Sequence, residues 1–119
     1  MQDIDDQAYV LHASVCQTLA NPTRLKILNA LRDQEIPVAE LARRTGTSMP
    51  NLSQHLAILR QRRVVLTRRQ GVTIHYRIAN PKILQAFDIM REVLFEQLAD
   101  GRRLVQAAAA GTRRSRAAR

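Results

Sequence analysis

The sequence predicts a mainly α domain with a small β component (α+β): five helices, with a two-stranded hairpin inserted before the last. Three observations predict it. Apolar residues recur at helical spacing through the first half of the chain. Between Val64 and Ile78 the period drops to two, in runs rich in Val, Thr and Ile. After Asn80-Pro81 helical spacing returns with a broad apolar arc. The length, 119 residues, suits one domain.

Each element has its own signals. In Asp5 to Leu19, Ala8, Leu11, Val15 and Leu19 form one stripe, and Asp5 and Asp6 suit the positive end of a helix. Asn21-Pro22-Thr23 ends that helix and starts a second, with Asn21 as cap and Pro22 in the first position. Leu25, Ile27, Leu28 and Leu31 give the second helix its core face. Pro37 opens a short third helix through Arg44, with Val38, Leu41 and Ala42 inward, and Gly46 suits its C-terminal turn. Ser48 caps a fourth helix, Met49 to Gln61, in which Pro50 falls in the tolerant first turn. Leu52, Leu56 and Leu59 form its buried side. The strands read as Val64 to Arg69 and Thr73 to Ile78, with Gly71 supplying the turn. The last helix runs from Asn80-Pro81 to about Leu98, with Ile83, Phe87, Met90, Leu94 and Leu98 central to an arc too wide for one small domain to cover. Residues 1–100 therefore read as the folded domain and 101–119 as an Ala- and Arg-rich tail, a frayed helix or a basic appendage.

Composition narrows the class. A hydrophobic content of 45% fits a globular chain, and no apolar run approaches the length of a membrane span, so no membrane partner is expected. The acidic, polar opening MQDIDDQAY is unlike a signal peptide, and a single cysteine, Cys16, excludes an intrachain disulfide; a cytoplasmic setting is expected. The net charge is +9, and its distribution is informative. No Asp or Glu lies between Leu41 and Phe87, a window that holds Arg43, Arg44, Arg60, Arg62, Arg63, Arg68, Arg69, Arg77 and Lys82. Such a one-signed stretch points to a polyanion partner; a solvated basic surface is the plainer alternative.

The order of elements is informative in the same direction. The third and fourth helices are joined by Thr45-Gly46-Thr47-Ser48, a short Gly-containing connection of the helix-turn-helix kind. The hairpin that follows carries Arg68, Arg69 and Gln70 at its tip, which makes the arrangement a winged helix-turn-helix. The outer side of the fourth helix offers Met49, Asn51, Ser53, Gln54 and Ala57, small or amide groups that can approach base edges; Gln can pair bidentately with adenine.

Three segments in order carry a resemblance to the ArsR (ArsR/SmtB) family of bacterial transcription regulators. They are Leu19-Ala20-Asn21-Pro22-Thr23-Arg24-Leu25-Lys26-Ile27-Leu28, then Asn51-Leu52-Ser53-Gln54-His55-Leu56-Ala57-Ile58-Leu59-Arg60, then Arg69-Gln70-Gly71 with Tyr76 in the next strand. The resemblance spans Val15 to Leu98. It implies a homodimer whose first and last helices form the interface. Its recognition helices enter successive major grooves of double-stranded operator DNA. It also implies a repressor released by a small inducer, whose identity the sequence leaves unknown. The implied recognition positions are Met49, Pro50, Ser53 and Gln54, with Ser48, Asn51 and His55 beside them, and the implied wing positions are Arg68, Arg69 and Gln70. Relatives often carry Ser or Gln where this chain has Met49 and Pro50, a departure that bears on the operator sequence. His55 is expected to pack near the core, and Arg24 to be structural and ion-paired.

Other chemistry finds few residues. The segment Ile36 to Leu41 lacks the Cys-x-Cys pair of family metal sensors, and the last helix offers Asp88, Glu92 and Glu96 without a histidine, a poor zinc set. No metal or cofactor is called for. No nucleophile elbow, phosphate-binding loop or facing acid pair is present, and His12, His55 and His75 are scattered, so no enzyme is expected. His12 and Cys16 lie four apart on the first helix. They form a candidate thiol, redox or soft-metal sensor, the alternative being an apolar cysteine packed in the dimer interface. An architectural protein that binds DNA without an operator is a further reading of the charge.

Overall fold

A computed structural model describes residues 4–117, with side chains for residues 5–111. The chain divides into two units, one ending at Leu84 and one beginning at Gln85. The first holds α1 (Ile4–Leu19), α2 (Pro22–Ala30), β1 (Ile36–Pro37), α3 (Val38–Thr45), α4 (Met49–Gln61), β2 (Val65–Gln70), β3 (Thr73–Ile78) and the first residues of α5 (Lys82–Ala117). The second is the remainder of α5.

The five helices and the hairpin are where the sequence places them. Asn21 caps α2: its Oδ1 accepts from the backbone N–H of Thr23 at 2.9 Å and of Arg24 at 3.1 Å, and Pro22 sits in the first turn. Ile27 and Leu28 from α2 with Leu31 at its C-cap, Leu41 from α3, and Leu52, Leu56 and Leu59 from α4 are all buried, joined by Ile36 and Val65 from the sheet. α2 packs on α3 and α4, and α4 packs on β2. Leu25, expected in that core, is instead 39% exposed.

Three boundaries differ from the sequence reading. Ile36–Pro37 forms a strand rather than a helix start, making a three-stranded antiparallel sheet of order β1-β3-β2. Ile36 pairs with Tyr76, and Pro37 with His75. The residue before a proline is pushed away from the α region, and a proline is tolerated on an edge strand, so both residues stay extended and α3 begins at Val38. Gln70 belongs to β2, leaving a two-residue turn, Gly71-Val72, between Gln70 and Thr73. Gly71 has φ +62°, a conformation that its first place in such a turn favours glycine for. Finally, α5 does not end near Leu98 but continues through Gly101 to Ala117. Gly101 keeps an ordinary negative φ, and the following Arg102, Arg103, Leu104, Gln106 and Ala107 to Ala110 are good helix formers that outweigh one glycine. The side chains of residues 112–119, part of the expected basic tail, lie outside the described residues.

Candidate nucleic-acid interface

The turn between α3 and α4 is fixed by its backbone. The N–H of Thr47 bonds the Ala42 carbonyl at 3.1 Å and that of Gly46 the Arg43 carbonyl at 3.4 Å, the paired bonds of a Schellman ending. Gly46 takes the left-handed conformation this requires, with φ +63°. The chain then turns once more and α4 starts at Met49. Its inner side is locked by Leu52, Leu56 and Leu59, so its outer side is presented rigidly. Ser48, Met49, Pro50, Asn51, Ser53, Gln54 and Ala57 are all exposed along it.

Ser48 occupies the cap position but its hydroxyl makes no capping hydrogen bond. One of the two amides such a hydroxyl normally reaches is missing, because the second helical residue is Pro50. The Ser48 hydroxyl and the first amides of α4 therefore stay available to an external acceptor, at the end of the helix whose dipole favours an anion.

The opposite end of α4 also closes on a Schellman pattern, with Val64 N–H to Leu59 carbonyl at 2.9 Å and Arg63 N–H to Arg60 carbonyl at 3.0 Å. This turn aims the chain into β2. Behind α4, His55 is half-buried and accepts a hydrogen bond on Nδ1 from Arg24 Nε at 3.2 Å, while Arg24 Nη1 donates to the Thr18 carbonyl at 2.8 Å. Arg24 is structural, as expected, but its partners are a ring nitrogen and a carbonyl rather than a carboxylate. It joins the end of α1, the start of α2 and the middle of α4.

The charge pattern changes once distances are known. Glu40 pairs with Arg44 at 2.7 Å and with Arg43 at 3.4 Å. Glu35 pairs with Arg68, and His75 Nδ1 lies 3.8 Å from the same carboxylate. The hydrogen bond from Arg68 holds the Glu35 carboxyl below its ordinary value; partial burial opposes this, and the charges of Arg68, His75 and Arg77 assist it. The same bond raises the Arg68 guanidinium. The stretch that is one-signed in sequence is thus partly neutralised by two acids from just outside it, a pairing that residue spacing could not reveal. Arg60, Arg62, Arg63 and Arg69 remain exposed, with no acidic partner among the described residues. Within the hairpin, Arg68 and Gln70 share one side and Arg69 takes the other, while Val72 at the turn is almost fully exposed.

Cys16 and His12 are both exposed on α1, one turn apart. The described residues contain no group of three or more metal-ligating side chains. No helix among them is long and apolar enough to cross a membrane.

Comparison with known proteins agrees with this architecture. The profile described as "Bacterial regulatory protein, arsR family" matches residues 21–66, which run from the cap of α2 into β2. The HTH-type transcriptional regulator KmtR of Mycobacterium tuberculosis is 46% identical over 81 residues, 68% of this chain; the chain spans only 62% of KmtR. The HTH-type transcriptional regulator Rv0081 of the same organism is 40% identical over 93 residues, 77% of this chain and 82% of the relative. The Rv0081 crystal structure superposes with a TM-score of 0.71 at 39% identity, over 78% of this chain and 94% of that one. The solution structure of the homodimeric winged helix-turn-helix DNA-binding domain of Mb0332 from Mycobacterium bovis gives a TM-score of 0.72 at 32% identity, over 82% of this chain and 91% of that one.

Proposed function

Because the chain belongs to the ArsR family of bacterial regulatory proteins, we propose that it binds operator DNA as a homodimer and represses transcription there until a small inducer releases it. The family makes it a DNA-binding transcription regulator and not an enzyme. The observation that carries the finer reading is the outer side of α4. Ser48, Met49, Pro50, Asn51, Ser53 and Gln54 are exposed, uncharged and held on a rigid helix, and Arg60, Arg62, Arg63 and Arg69, without an acidic partner among the described residues, lie at its far end and in the hairpin. Uncharged amide and hydroxyl groups read base edges; arginines without a carboxylate nearby take phosphates. In this reading Arg69 and Gln70 are the wing residues that meet the DNA backbone, while Arg68 beside them is paired with Glu35. Binding chromosomal DNA would put the protein in the cytoplasm.

A repressor needs little beyond this, since a dimer seated on promoter DNA already excludes polymerase. Mobility shifts on the DNA upstream of the protein's own gene test the reading. A preference of about a thousandfold or more over bulk DNA is expected for an operator-binding regulator. Equal binding to all duplexes would instead make the protein architectural. Gln54→Ala should cost about 1–3 kcal/mol on the operator and relax its specificity; unchanged binding would remove α4 from base recognition.

The exposed thiol of Cys16, with His12 one turn away, supports thiol chemistry or a soft metal as the inducing signal. Operator complexes treated in turn with persulfide, oxidant and soft metal ions, with wild type and Cys16→Ser side by side, decide it. Release of both proteins by the same treatment would exclude Cys16.

A further inference from the structure

The sheet places an acidic residue from outside the hairpin against one of its arginines. In the strand register Arg68 faces His75, and His75 faces Pro37 on the other side. Glu35 precedes Pro37 by two residues, so an extended chain returns it to the same side of the sheet. There Arg68 donates from Nε at 2.9 Å and from Nη2 at 2.5 Å, both to Glu35 Oε1, and also approaches Gln70 Oε1 at 3.4 Å. Arg69, one residue on, points to the opposite side and has no acidic partner among the described residues.

We propose that Glu35 is a positioning residue of the wing: it holds Arg68 in an ion pair within the protein and keeps that cation off the DNA backbone, so that the wing engages phosphates through Arg69. The proposal rests on the reading that the wing meets DNA. An arginine that already gives two N–H groups to a carboxylate has fewer left for a phosphate, and its charge is locally cancelled. The pair is partly exposed, with 52% and 27% of the two side chains accessible, so it is not strong enough by itself to refuse a phosphate. What decides is that the Glu35 backbone is anchored: its neighbour Ile36 is buried and paired with Tyr76, so the carboxylate remains within reach of Arg68 and opposes a phosphate that approaches. The wing then releases fewer counterions on binding than its sequence charge suggests. Neutralising Glu35 returns Arg68 to the DNA.

The test is the salt dependence of binding to a random-sequence 30-bp duplex, read by fluorescence anisotropy. Each extra phosphate contact steepens the plot of log K against log salt by about 0.9. Arg68→Ala should leave the wild-type slope unchanged. Glu35→Gln, which keeps the shape and a hydrogen-bond acceptor, should steepen it by about 0.9 per subunit. The double variant should return to the wild-type slope. Asp33→Asn is the control: it removes a charge two residues away, at a left-handed position (φ +58°) that asparagine tolerates, and should leave the slope alone. The proposal is overturned if Arg68→Ala flattens the slope in the wild-type background, if Glu35→Gln fails to steepen it, or if Asp33→Asn steepens it equally. Should Glu35→Gln not fold, the Arg68→Ala arm decides alone. Arg69→Ala separates the two readings. A flatter slope there with no response to Glu35→Gln refutes the positioning role only; an unchanged slope in Arg69→Ala refutes the wing contact on which both depend.

Discussion

Arg63 sits at φ +57°, where the Schellman ending of α4 needs a left-handed residue, and it is one of two non-glycine residues with positive φ among those described. An L side chain there costs roughly 1–2 kcal/mol, of which glycine would recover a part. Arg63→Gly is therefore expected to raise stability by about 1 kcal/mol, seen as a higher urea midpoint at unchanged m-value. A fall in stability would mean that the arginine side chain contributes more than its backbone costs. The Glu35–Arg68 pair gives a pH signature. Folding lowers the Glu35 pKa below the ordinary 4.5, so its contribution is fully present above that value and fades as pH falls through the folded one. The urea midpoints of wild type and Glu35→Gln should differ at neutral pH and draw together at acid pH, where the Glu35 carboxyl is protonated in both folded and unfolded states. A gap that persists unchanged at that pH would show that the pair is not what separates them. At this scale the sequence is legible where the signal is local. The Asn21 cap and the glycines of the two turns follow from neighbouring residues. The partners of Arg24 and Arg68 do not: His55 and Glu35 lie 31 and 33 residues away, and only the fold brings them in.

Among the elements, α4 was readable end to end because three independent signals agree on it: a turn before it, Pro50 in its first turn, and leucines at spacing four and three. Those leucines also anchor the surface proposed to read DNA. Leu56 is 1% exposed, and Leu56→Ala should cost about 2–5 kcal/mol, in line with large-to-small core replacements. Loss of cooperative thermal melting alongside loss of DNA binding is the expected result; a cost below about 1 kcal/mol would mean that the core closes over the gap. β1 was not readable, since two residues carry no period. It exists because β3 offers an edge and Pro37 prevents the helix from starting earlier. The far end of α5 lies beyond the expected Leu98, on the helical one of the two readings open for the tail. A glycine punctuates a helix only when the chain beyond it prefers to turn, and the Ala-rich stretch after Gly101 does not.

For the whole molecule the decisive quantity is apolar surface left in water. On α1, Tyr9, Val10 and Leu11 are exposed; on α5, so are Ile89, Met90, Val93, Leu94, Phe95 and Leu98, continuing to Leu104 and Val105. Scattered apolar residues need no explanation, but two helices that each expose several of them exceed what a stable monomer usually shows. A second copy of the chain is the economical cover, and the wide arc of the last helix announced this need in the sequence. On the proposed reading, with one α4 of the dimer in each of two successive major grooves, two-fold symmetry calls for half-sites about 10–10.5 bp apart, centre to centre. Leu94 is half exposed on α5, so placing a charge there should leave the protomer's own core intact and oppose pairing. Leu94→Glu is expected to convert dimers to monomers in light scattering at micromolar concentration, and to lose operator affinity through loss of the second half-site. Footprints should shrink from two half-sites to none at the same protein concentration. A wild-type protein that scatters as a monomer would remove the paired-groove geometry; a Leu94→Glu variant that stays dimeric with an unchanged footprint would remove only this face of α5 from the proposed interface.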